Sequence, residues 1–414
     1  MKILSKARAI RDAVAERKRL RGPAQLEYAI ADRLAMLDAG AWNVLTADAG
    51  FFMSHAYLTA LEAVLPDNLA PRYALIFDGA QKPVAAVYMQ LADIGVAQVR
   101  PKKAVAAERP PLAALDKLAA RMSQRVLTCG NLLCYGQHGV AFAPGVDPET
   151  AWHGVAEVLY RVRTADKLRG TTHFVLIKDI HGPHKQNSSG LSNLSYRYVE
   201  TEPNMVLALD AAWKNHDDYL ASLASKYRSG IRNSVLKPID EAGCTIEAVS
   251  DAGVLQSRIH ELYQAVQSNA DFRPYELGPD YFPALQRVAG ERLRFSVLKR
   301  NEAVLGFLIT LADGDTAIAY HIGFDREAAS GLPIYLRLLH VGISDGIALG
   351  CKRVSFGRTA LEPKAALGAK PETFGVLLRH RQPVLNKLIK RLLTGIEHDD
   401  APDRNPFKKA ANAG

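Results

Sequence analysis

Two stretches of the chain share one pattern of strand-forming residues around a turn. They are RYALIFDGAQKPVAAVYMQLA (72–92) and LRFSVLKRNEAVLGFLITLA (293–312). Runs of β-branched and aromatic residues on both sides of a short turn are typical of β-hairpins. The two patterns coincide when Val84 is aligned with Val304, an offset of 220 residues. We therefore predict one hairpin in each half of the chain.

A second repeated pattern follows each hairpin. In VAEVLYRVRTADKLRGTTHFVLIKD (155–179) and in RLLHVGISDGIALGCKRVSFGRT (337–359), an amphipathic run ends at a glycine and leads into a strand-like run. Gly170 and Gly350 occupy the positions at which a glycine commonly ends a helix. The first copy carries about forty extra residues, mostly in 93–150, between its hairpin and its helix. Two copies of one mixed α/β unit explain both repeats.

The second unit shows an order of elements that predicts a cleft. Its consecutive strands, joined by short turns, must be antiparallel, whereas the last strand follows a helix and so lies parallel to the strand before it. Ligands bind at the carboxyl ends of such a parallel pair. The predicted elements are a strand at CTIEAVS, a helix at AGVLQSRIHELYQAVQ, a polar and aromatic loop at 268–282, strands at 293–299, 303–311 and 316–323, a helix near Pro333, and a strand at 352–357.

The segment SLASKYRSGIRNSVLKP (222–238) concentrates positive charge before the second unit. We predict one helix from an Asn215 cap to Pro238, with an apolar stripe along one side. Arg228 and Arg232 lie one turn apart beside that stripe, where they hold either an anionic group or a structural ion pair. Gly230 between them predicts close approach by another backbone or a ligand, because glycine weakens a helix interior.

These patterns place the chain in the α/β class, with mixed α+β sheets in two tandem units. Each unit is expected to be a mixed, mostly antiparallel sheet with flanking helices. The predicted divisions are a basic helical N-terminal segment at 1–35, a first unit at 36–204, a second unit at 205–395 and a flexible tail at 396–414.

Composition and charge add limits on location and partners. The 414 residues are 48% hydrophobic and 23% charged, and no apolar run is long enough to cross a bilayer, so we expect a folded cytoplasmic protein. The net charge of +9 comes from the ends, since residues 1–21 carry eight Lys/Arg against two Asp/Glu. Such ends are either solvated helix faces or contacts for RNA or an anionic membrane. The spacing of the four cysteines predicts buried thiols and no metal site.

The C-terminal stretch RHRQPVLNKLIKRLL predicts an amphipathic basic helix. Its apolar pairs alternate with lysine and arginine. The apolar stripe either docks on the domain, which is the commoner use of such a pattern, or gives peripheral contact with an anionic membrane.

The element order of the second unit resembles the GNAT acyltransferase fold. The tandem arrangement and the helix YLASLASKYRSGIRNSVLK resemble the FemAB-like branch of that superfamily, which includes many uncharacterised bacterial members. FMSHAYLTALEA (52–63), FVLIKDI (174–180) and VSFGRTALEPKAALGAKP (354–371) add to the resemblance, which covers roughly 42–390.

The resemblance implies an N-acyltransferase. An acyl-CoA or an aminoacyl-tRNA would lie between the two parallel strands, and an amine of a small molecule or a cell-envelope precursor would attack its carbonyl. It implies acyl-CoA as a co-substrate, no tightly bound cofactor, and nucleic acid as a partner only if tRNA is the donor. The second unit would carry the reaction and the first would be a degenerate copy. The sequence predicts no oligomeric state.

The loop before the last predicted helix departs from the family pattern. Typical GNAT members have a glycine-rich loop there that holds the CoA pyrophosphate, whereas the loop here, FDREAASGLPIYL, has only Gly331. A helix N-terminus still attracts an anion. The alternative function is therefore a non-catalytic binding protein of the same fold for an anionic envelope component.

Candidate site residues follow from these positions. A histidine at the end of the cleft strand has the pKa of a general base, and loop cations after the partner strand can hold a phosphate or carboxylate. The alternatives are a hydrogen-bonded sheet residue, a surface ion pair with Glu362, and aromatic packing under a loop. The candidates are His321 and Tyr320 as catalytic residues, Arg228, Arg232, Gly331, Arg358, Thr359 and Lys364 for the donor or its anion, and Asp271, Arg273 and Tyr275 for the acceptor pocket.

Overall fold

A computed structural model provides the structure of the chain. It describes residues 22–95, 123–270, 273–393, 402 and 404–408, and near the N-terminus residues 8, 11–12, 14–16 and 18–19. Of residues 389–393 it describes the backbone.

The described residues form strands and helices that follow one another in short runs. The strands are β1 (Glu27–Ala31), β2 (Leu69–Phe77), β3 (Pro83–Gly95), β4 (Ser123–Cys129), β5 (Val140–Phe142), β6 (Thr172–Ile180), β7 (Arg197–Glu200), β8 (Asn204–Ala208), β9 (Cys244–Ala248), β10 (Leu293–Arg300), β11 (Ala303–Asp313), β12 (Thr316–Phe324), β13 (Arg353–Ser355), β14 (Lys370–Glu372) and β15 (Gly375–His380). The helices are α1 (Ala39–Thr46), α2 (His55–Glu62), α3 (Pro148–Ala165), α4 (Pro183–Asn187), α5 (His216–Ser222), α6 (Ser225–Ile231), α7 (Lys237–Glu241), α8 (Gln256–Gln267), α9 (Tyr281–Ala289), α10 (Ile334–Ala348), α11 (Leu361–Ala366) and α12 (Pro383–Leu393).

The chain divides into two compact units, each with its own mixed sheet. Unit 1 comprises residues 1–201 and 374–398, and unit 2 comprises residues 202–373 and 399–414. The predicted α/β fold class, with mixed sheets and flanking helices in tandem, is confirmed. This division differs from the expected boundaries, because β15 pairs with β6 and β7 and so places the C-terminal strand in unit 1.

Unit 1 is built on a sheet with the strand order β1-β2-β3-β4-β6-β15-β7, and β5 pairs with β3. The predicted hairpin is β2 and β3, which pair antiparallel. Helix α3 begins at an Asp147 cap with Pro148 in its first turn, and its apolar side packs Trp152, Val155 and Leu159 into the core. The segment expected to be helical at 1–35 includes β1, which forms an edge of this sheet.

Unit 2 has the strand order β14-β8-β13-β12-β11-β10-β9. Its antiparallel meander runs from β9 through β12, and α10 then returns the chain so that β13 lies parallel to β12, as predicted. Helix α9 was not predicted; it begins at the end of the loop predicted at 268–282 and precedes the strand predicted from 293. Pro283 argues against a helix in the sequence, but it lies in the first turn of α9, where proline is tolerated.

The segment 215–238 is not one helix, so that prediction was wrong. The Asn215 cap is present with a full capping box, but the helix stops at Ser222 and restarts at Ser225. The break occurs where Leu223 pairs with Phe407 and the backbone N–H of Ala224 donates to Pro406. A π-helical turn at Arg232–Leu236 then joins α6 to α7, and Pro238 lies in the first turn of α7 rather than ending a helix.

Part of the tail expected to be flexible at 396–414 takes part in the same contact; the structure describes residues 402 and 404–408 of this tail, and the rest lies outside the described residues. The described residue Phe407 packs against Trp213 with their ring centroids 5.9 Å apart, and it covers Gly368 closely. The backbone N–H of Lys408 donates to Ser222. Residues 404–408 are therefore part of the packed surface of unit 2.

Candidate active site

The parallel strands of unit 2 separate shortly after they meet. Strand β13 pairs with β12 only at Thr316–Ile318, opposite Arg353–Ser355. Beyond this point the chain after β13 turns toward β8, since Phe356 N–H donates to Met205 O. Strand β12 continues to Phe324 without a described strand beside it on that side. The result is the predicted opening at the carboxyl ends of the two strands.

The matching pair in unit 1 stays closed. Strands β4 and β6 pair in parallel over Arg125–Cys129, which is where β4 ends. Strand β4 does not continue past Cys129, its last residue paired with β6, so the described part of unit 1 lacks the separation seen in unit 2. Of the two described sheets, the cleft therefore belongs to that of unit 2.

A β-bulge lies at the start of the opening. Ile309 pairs with His321 and Thr310 pairs with Ala319, which leaves Tyr320 as the extra residue of β12. A bulge turns consecutive side chains toward the same side of a sheet. Tyr320 and His321 accordingly both contact Tyr281, although neighbouring residues of a regular strand point to opposite faces.

Two tyrosine hydroxyls meet beside the bulge. The Tyr320 and Tyr281 oxygens lie 2.7 Å apart and both side chains are buried. A buried hydroxyl pair can donate a proton to a group that gains negative charge in the opening. Tyr281 lies within the loop predicted at 268–282 and was not among the candidate site residues. The one available signal was its place in DYF, just before an amphipathic stretch.

His321 lies inside an aromatic cluster rather than in an open cleft. Tyr263, Tyr281 and Phe282 surround its ring, which is 9% exposed, and its Nε2 has no hydrogen-bond partner among the described residues. Burial lowers the pKa of His321 to about 3. This corrects the expectation of a general base with a near-neutral pKa, because such a group is a weak proton acceptor at pH 7.

Lys364 is a second predicted site residue whose pKa is changed by burial. It lies in α11, is only 2% exposed, and forms no ion pair with any carboxylate in the described part of the chain. Burial lowers the pKa of Lys364 to about 7, and the Glu202 charge acts in the opposite direction. The side chain expected to be a fixed cation therefore titrates near neutrality.

The loop between β13 and Lys364 has an unusual backbone. Ala360, directly before α11, takes the left-handed conformation with φ of 52°, and Gly357 has φ of 77°. A non-glycine residue in this region costs of order 1–3 kcal/mol and tends to occur at functional sites. Arg358 is half-buried and Thr359 is exposed on this loop. The loop thus presents the two residues predicted to contact an anion.

The loop that precedes α10 already contains its own anion. The Asp325 carboxylate accepts hydrogen bonds from the backbone N–H groups of Glu327 and Ala328, and it is paired with Arg258 at 2.8 Å. The N–H groups of residues 329–332 donate to carbonyls within the same loop. Gly331 is exposed with open space around it. A diphosphate would therefore have to displace Asp325 to use the Glu327 and Ala328 donors.

Arg228 and Arg232, the two predicted anion-binding arginines before unit 2's meander, lie on α6 and the turn that follows it. Arg228 donates to the Ala221 carbonyl at 3.4 Å, and Arg232 is exposed. No described atom outside the helix lies within 4 Å of a side chain built at Gly230, so the close approach by another backbone was not found. These residues lie on α6 and its π-helical turn.

The predicted acceptor loop lies against the aromatic cluster. Asp271 lies outside the described residues, whereas Arg273 and Tyr275 are half-buried. The Leu277 backbone N–H donates to the Tyr263 hydroxyl, which joins the loop to the cluster around His321. The loop and the Tyr320–Tyr281 pair therefore lie on the same side of the sheet.

Metal clusters and membrane-spanning helices are both absent from the residues that the structure describes. Within those residues, no three His, Cys, Asp or Glu side chains are grouped so as to hold a metal ion. All four cysteines are buried free thiols, as predicted. No helix in the described part of the chain has the length and apolar character needed to cross a membrane.

Comparison with known proteins identifies the fold around this opening. Residues 225–365, which contain β12, the bulge and Lys364, match the family model for the acetyltransferase (GNAT) domain. Unit 2 therefore contains a GNAT domain. The predicted resemblance is confirmed, and the GNAT domain is of the N-acyltransferase type. Among curated proteins, none matches the chain.

Solved structures show a similar fold over most of the chain. FemX has a TM-score of 0.52 and 11% identity over 86% of this chain and 98% of its own. A tandem GNAT protein from the clavulanic acid biosynthesis pathway has a TM-score of 0.49 and 13% identity over 86% and 99%. The C-terminal domain of a putative lysylphosphatidylglycerol synthetase from Agrobacterium fabrum has a TM-score of 0.46 and 11% identity over 86% and 96%. The likeness to FemX is one of fold.

Proposed function

We propose that the chain is an N-acyltransferase in which an acceptor amine attacks an acyl or aminoacyl donor in the opening between β12 and β13. One observation carries this proposal: β12 loses its neighbour after Ile318 and bulges at Tyr320. Backbone N–H groups on the open side of β12 are available to polarise a carbonyl, and they are held in place by the pairing of β12 with β11.

The proton transfers can be assigned to side chains of unit 2. As the C–N bond forms, the attacking amine must lose a proton, and Lys364 with a pKa of about 7 is neutral in enough molecules to accept it. As the C–S or C–O bond of the donor breaks, its sulfur or oxygen takes a proton from the Tyr320–Tyr281 pair. No bond to the protein forms in this scheme. Unit 2 would thus carry the reaction, and unit 1 would be the degenerate copy.

The closed loop before α10 bears on the choice of donor. Acyl-CoA carries a diphosphate, whereas the ester end of an aminoacyl-tRNA carries single phosphodiesters. Because Asp325 already bonds the Glu327 and Ala328 N–H groups, this loop favours a donor that does not need a diphosphate contact there. Arg358 and Thr359 would then hold the donor or its anion from the other side of the opening. Both donors are made in the cytoplasm, where we place the reaction.

The acceptor would enter beside the loop that contains Arg273 and Tyr275. That loop covers the side of the sheet on which Tyr320 and Tyr281 meet, so an amine bound there would reach the opening between β12 and β13 on that side. An amine of a small molecule or of a cell-envelope precursor fits this description. The half-buried Arg273 would favour an acceptor that also carries an acidic group.

The test is a donor screen with product detection. The protein is incubated with acyl-CoAs of several chain lengths, or with a charged tRNA pool, together with a mixture of amines, and N-acyl products are detected by mass spectrometry. We expect a product with one donor class, and a loss of about 10²–10³-fold in rate for Tyr281→Phe. The matched control is Tyr335→Phe in α10, because it removes a tyrosine hydroxyl that is not part of the Tyr320–Tyr281 pair. This control should keep its rate.

The alternative is a non-catalytic binding protein for an anionic envelope component. The internally bonded loop before α10 is the observation that favours it. If ligands from either donor class raise the melting temperature but no product forms with any amine, binding without catalysis replaces the proposed reaction.

A further inference from the structure

Two adjoining cavities lie on unit 1, and no residue of the proposed reaction lines either of them. Their volumes are about 380 and 570 Å³, and Tyr160 lines both. The larger, which we call the basic cavity, is lined by Arg163, Lys167 and Arg381 and by the hydroxyls of three threonines, with no acidic residue among its lining. It lies between the end of α3 and the start of α12.

Within the described residues, no carboxylate neutralises the cations of the basic cavity. None of Arg163, Lys167 and Arg381 is within ion-pair distance of a carboxylate in the described part of the chain. Burial and the neighbouring Arg379 charge lower the pKa of Arg163. The Thr172 hydroxyl in the same lining is buried without a hydrogen-bond partner among the described residues. Clustered cations beside an unpartnered hydroxyl donor are suited to an anion with several acceptor oxygens, such as a phosphate.

Large apolar side chains are exposed around this cavity. Leu168, in the turn that follows α3, is 99% exposed, and it lies between Lys167 and Thr171 in the sequence. On α12, Val384 is 71% exposed, and Leu385 and Leu388 are also exposed. Exposed large apolar residues grouped beside clustered cations, here Leu168 with Val384, Leu385 and Leu388, are typical of a surface that binds a protein or a membrane.

Helix α12 is held in place by a polar residue, while its apolar side chains that the structure describes, Val384, Leu385 and Leu388, are exposed. Asn386 is buried, accepts from the His380 backbone N–H at 2.7 Å and donates to the Ser195 carbonyl at 2.8 Å. The expectation that the apolar stripe of this helix docks on the domain was therefore wrong for its described side chains. Lys387 is exposed on the same helix.

These features distinguish between two polyanions. An RNA would use the cations and the Tyr160 ring, but it would leave Leu168, Val384 and Leu385 in water. An anionic bilayer uses both sets, because its headgroups bind cations and its acyl chains take up apolar side chains. We propose that this face of unit 1 docks on an anionic phospholipid bilayer, with a headgroup phosphate in the basic cavity and with Leu168 and the apolar residues of α12 among the acyl chains.

The test compares matched variants of the full chain in vesicle flotation. The vesicles contain phosphatidylcholine alone or phosphatidylcholine with phosphatidylglycerol. We expect binding to the second kind only. Each cation near an anionic surface contributes about fivefold in affinity, so Lys167→Gln/Arg381→Gln should lose roughly 30-fold, and Leu168→Ser/Val384→Ser should lose at least about tenfold. The controls are Arg33→Gln/Lys82→Gln and Met36→Ser/Val44→Ser, which change exposed residues elsewhere on unit 1 and should bind as the unchanged chain does.

Several results would overturn the proposal. Equal binding to both kinds of vesicle, or no binding to either, would remove the anionic bilayer. Equal losses in the cavity variants and in the controls would show that general charge, not this face, is responsible. If tRNA binds and its binding depends on Lys167 and Arg381 but not on Leu168 and Val384, the face recognises RNA. If soluble glycerol phosphate alone saturates the cavity and vesicles do not bind, the ligand is a free phosphate compound.

Discussion

Replacing Lys364 with methionine should stabilise unit 2 at neutral pH while removing activity. Methionine keeps the length and apolar stem of the side chain and removes the amine. The pKa of Lys364 is about 7 in the folded chain, against 10.5 for an ordinary lysine. A lysine whose folded pKa is lowered binds more protons when unfolded between these two values, so stability rises with pH across that window. Linkage gives a cost of about 4 kcal/mol at pH 7, which the variant avoids.

The pH dependence makes this prediction specific. The same linkage gives a remaining cost of about 1.5 kcal/mol at pH 9.5, so the advantage of Lys364→Met should shrink as the pH rises. Calorimetric unfolding at several pH values measures it through the transition that the substitution moves, because two units need not unfold together. The lysine side-chain NMR signal followed against pH measures the pKa directly.

A matched control separates this effect from a general loss of charge. Lys352 is an exposed lysine of unit 2, 3.8 Å from Asp315, and Lys352→Met should change stability by no more than about 0.5 kcal/mol. A lower stability of Lys364→Met at pH 7 would contradict the lowered pKa of Lys364. An equal gain in the free energy of unfolding at pH 7 and at pH 9.5 would contradict it as well. Retained turnover would remove Lys364 from the proposed reaction without touching the stability result.

Three further predictions concern buried or bonded groups of unit 2. Burial raises the pKa of Asp345 to about 6, so its stabilising contribution is complete below pH 3.8 and is lost as the pH rises through 6. Asp345→Asn keeps an acceptor for the Thr310 hydroxyl. In urea unfolding this variant should gain up to about 3 kcal/mol at pH 7 and well under about 1 kcal/mol at pH 4. The pKa of His321 is lowered to about 3, so its neutral ring contributes stability above pH 6.5 that is lost as the pH falls. His321→Phe should remove about 3 kcal/mol of the decline in stability between pH 6.5 and pH 4, so that the melting temperature depends less steeply on pH. An unchanged slope would contradict the burial of His321 as a neutral ring. Asp325→Ala frees the backbone N–H groups of Glu327 and Ala328. Calorimetric titration with CoA should then show tighter binding than for the unchanged chain. Weaker binding would mean that Asp325 orders the loop for the donor.

The parts of the fold that depend on pattern could be predicted from the sequence. The hairpins β2–β3 and β10–β11, the helix before β13 and the parallel crossover follow from alternation, helical period and turn length, which are local properties. The break at Leu223 could not be predicted in this way. It depends on pairing with Phe407, almost two hundred residues away, which satisfies backbone groups that a continuous helix would have used itself.

The candidate site shows the same division between local and distant causes. Its position at the ends of β12 and β13 follows from topology, and Lys364 was predicted as a site residue from its place after β13. The chemical state of its residues does not follow from the sequence. The bulge at Tyr320 is a register shift between β11 and β12, and the local sequence around Tyr320 does not indicate that shift. Because of it, Tyr320 and His321 share one side, and Tyr281 becomes their partner.

The buried titratable groups of unit 2 argue for a cleft that is kept for function. Lys364, His321 and Asp345 each have a pKa moved toward the neutral form by burial. Apolar residues of similar size would fill the same positions without this cost, and Ala360 adds backbone strain on the same loop as Arg358. Groups that reduce stability persist when something else requires them. Of the three, Lys364 is the one that follows β13 at the opening of the cleft, and so its replacement most directly separates a catalytic requirement from a structural one.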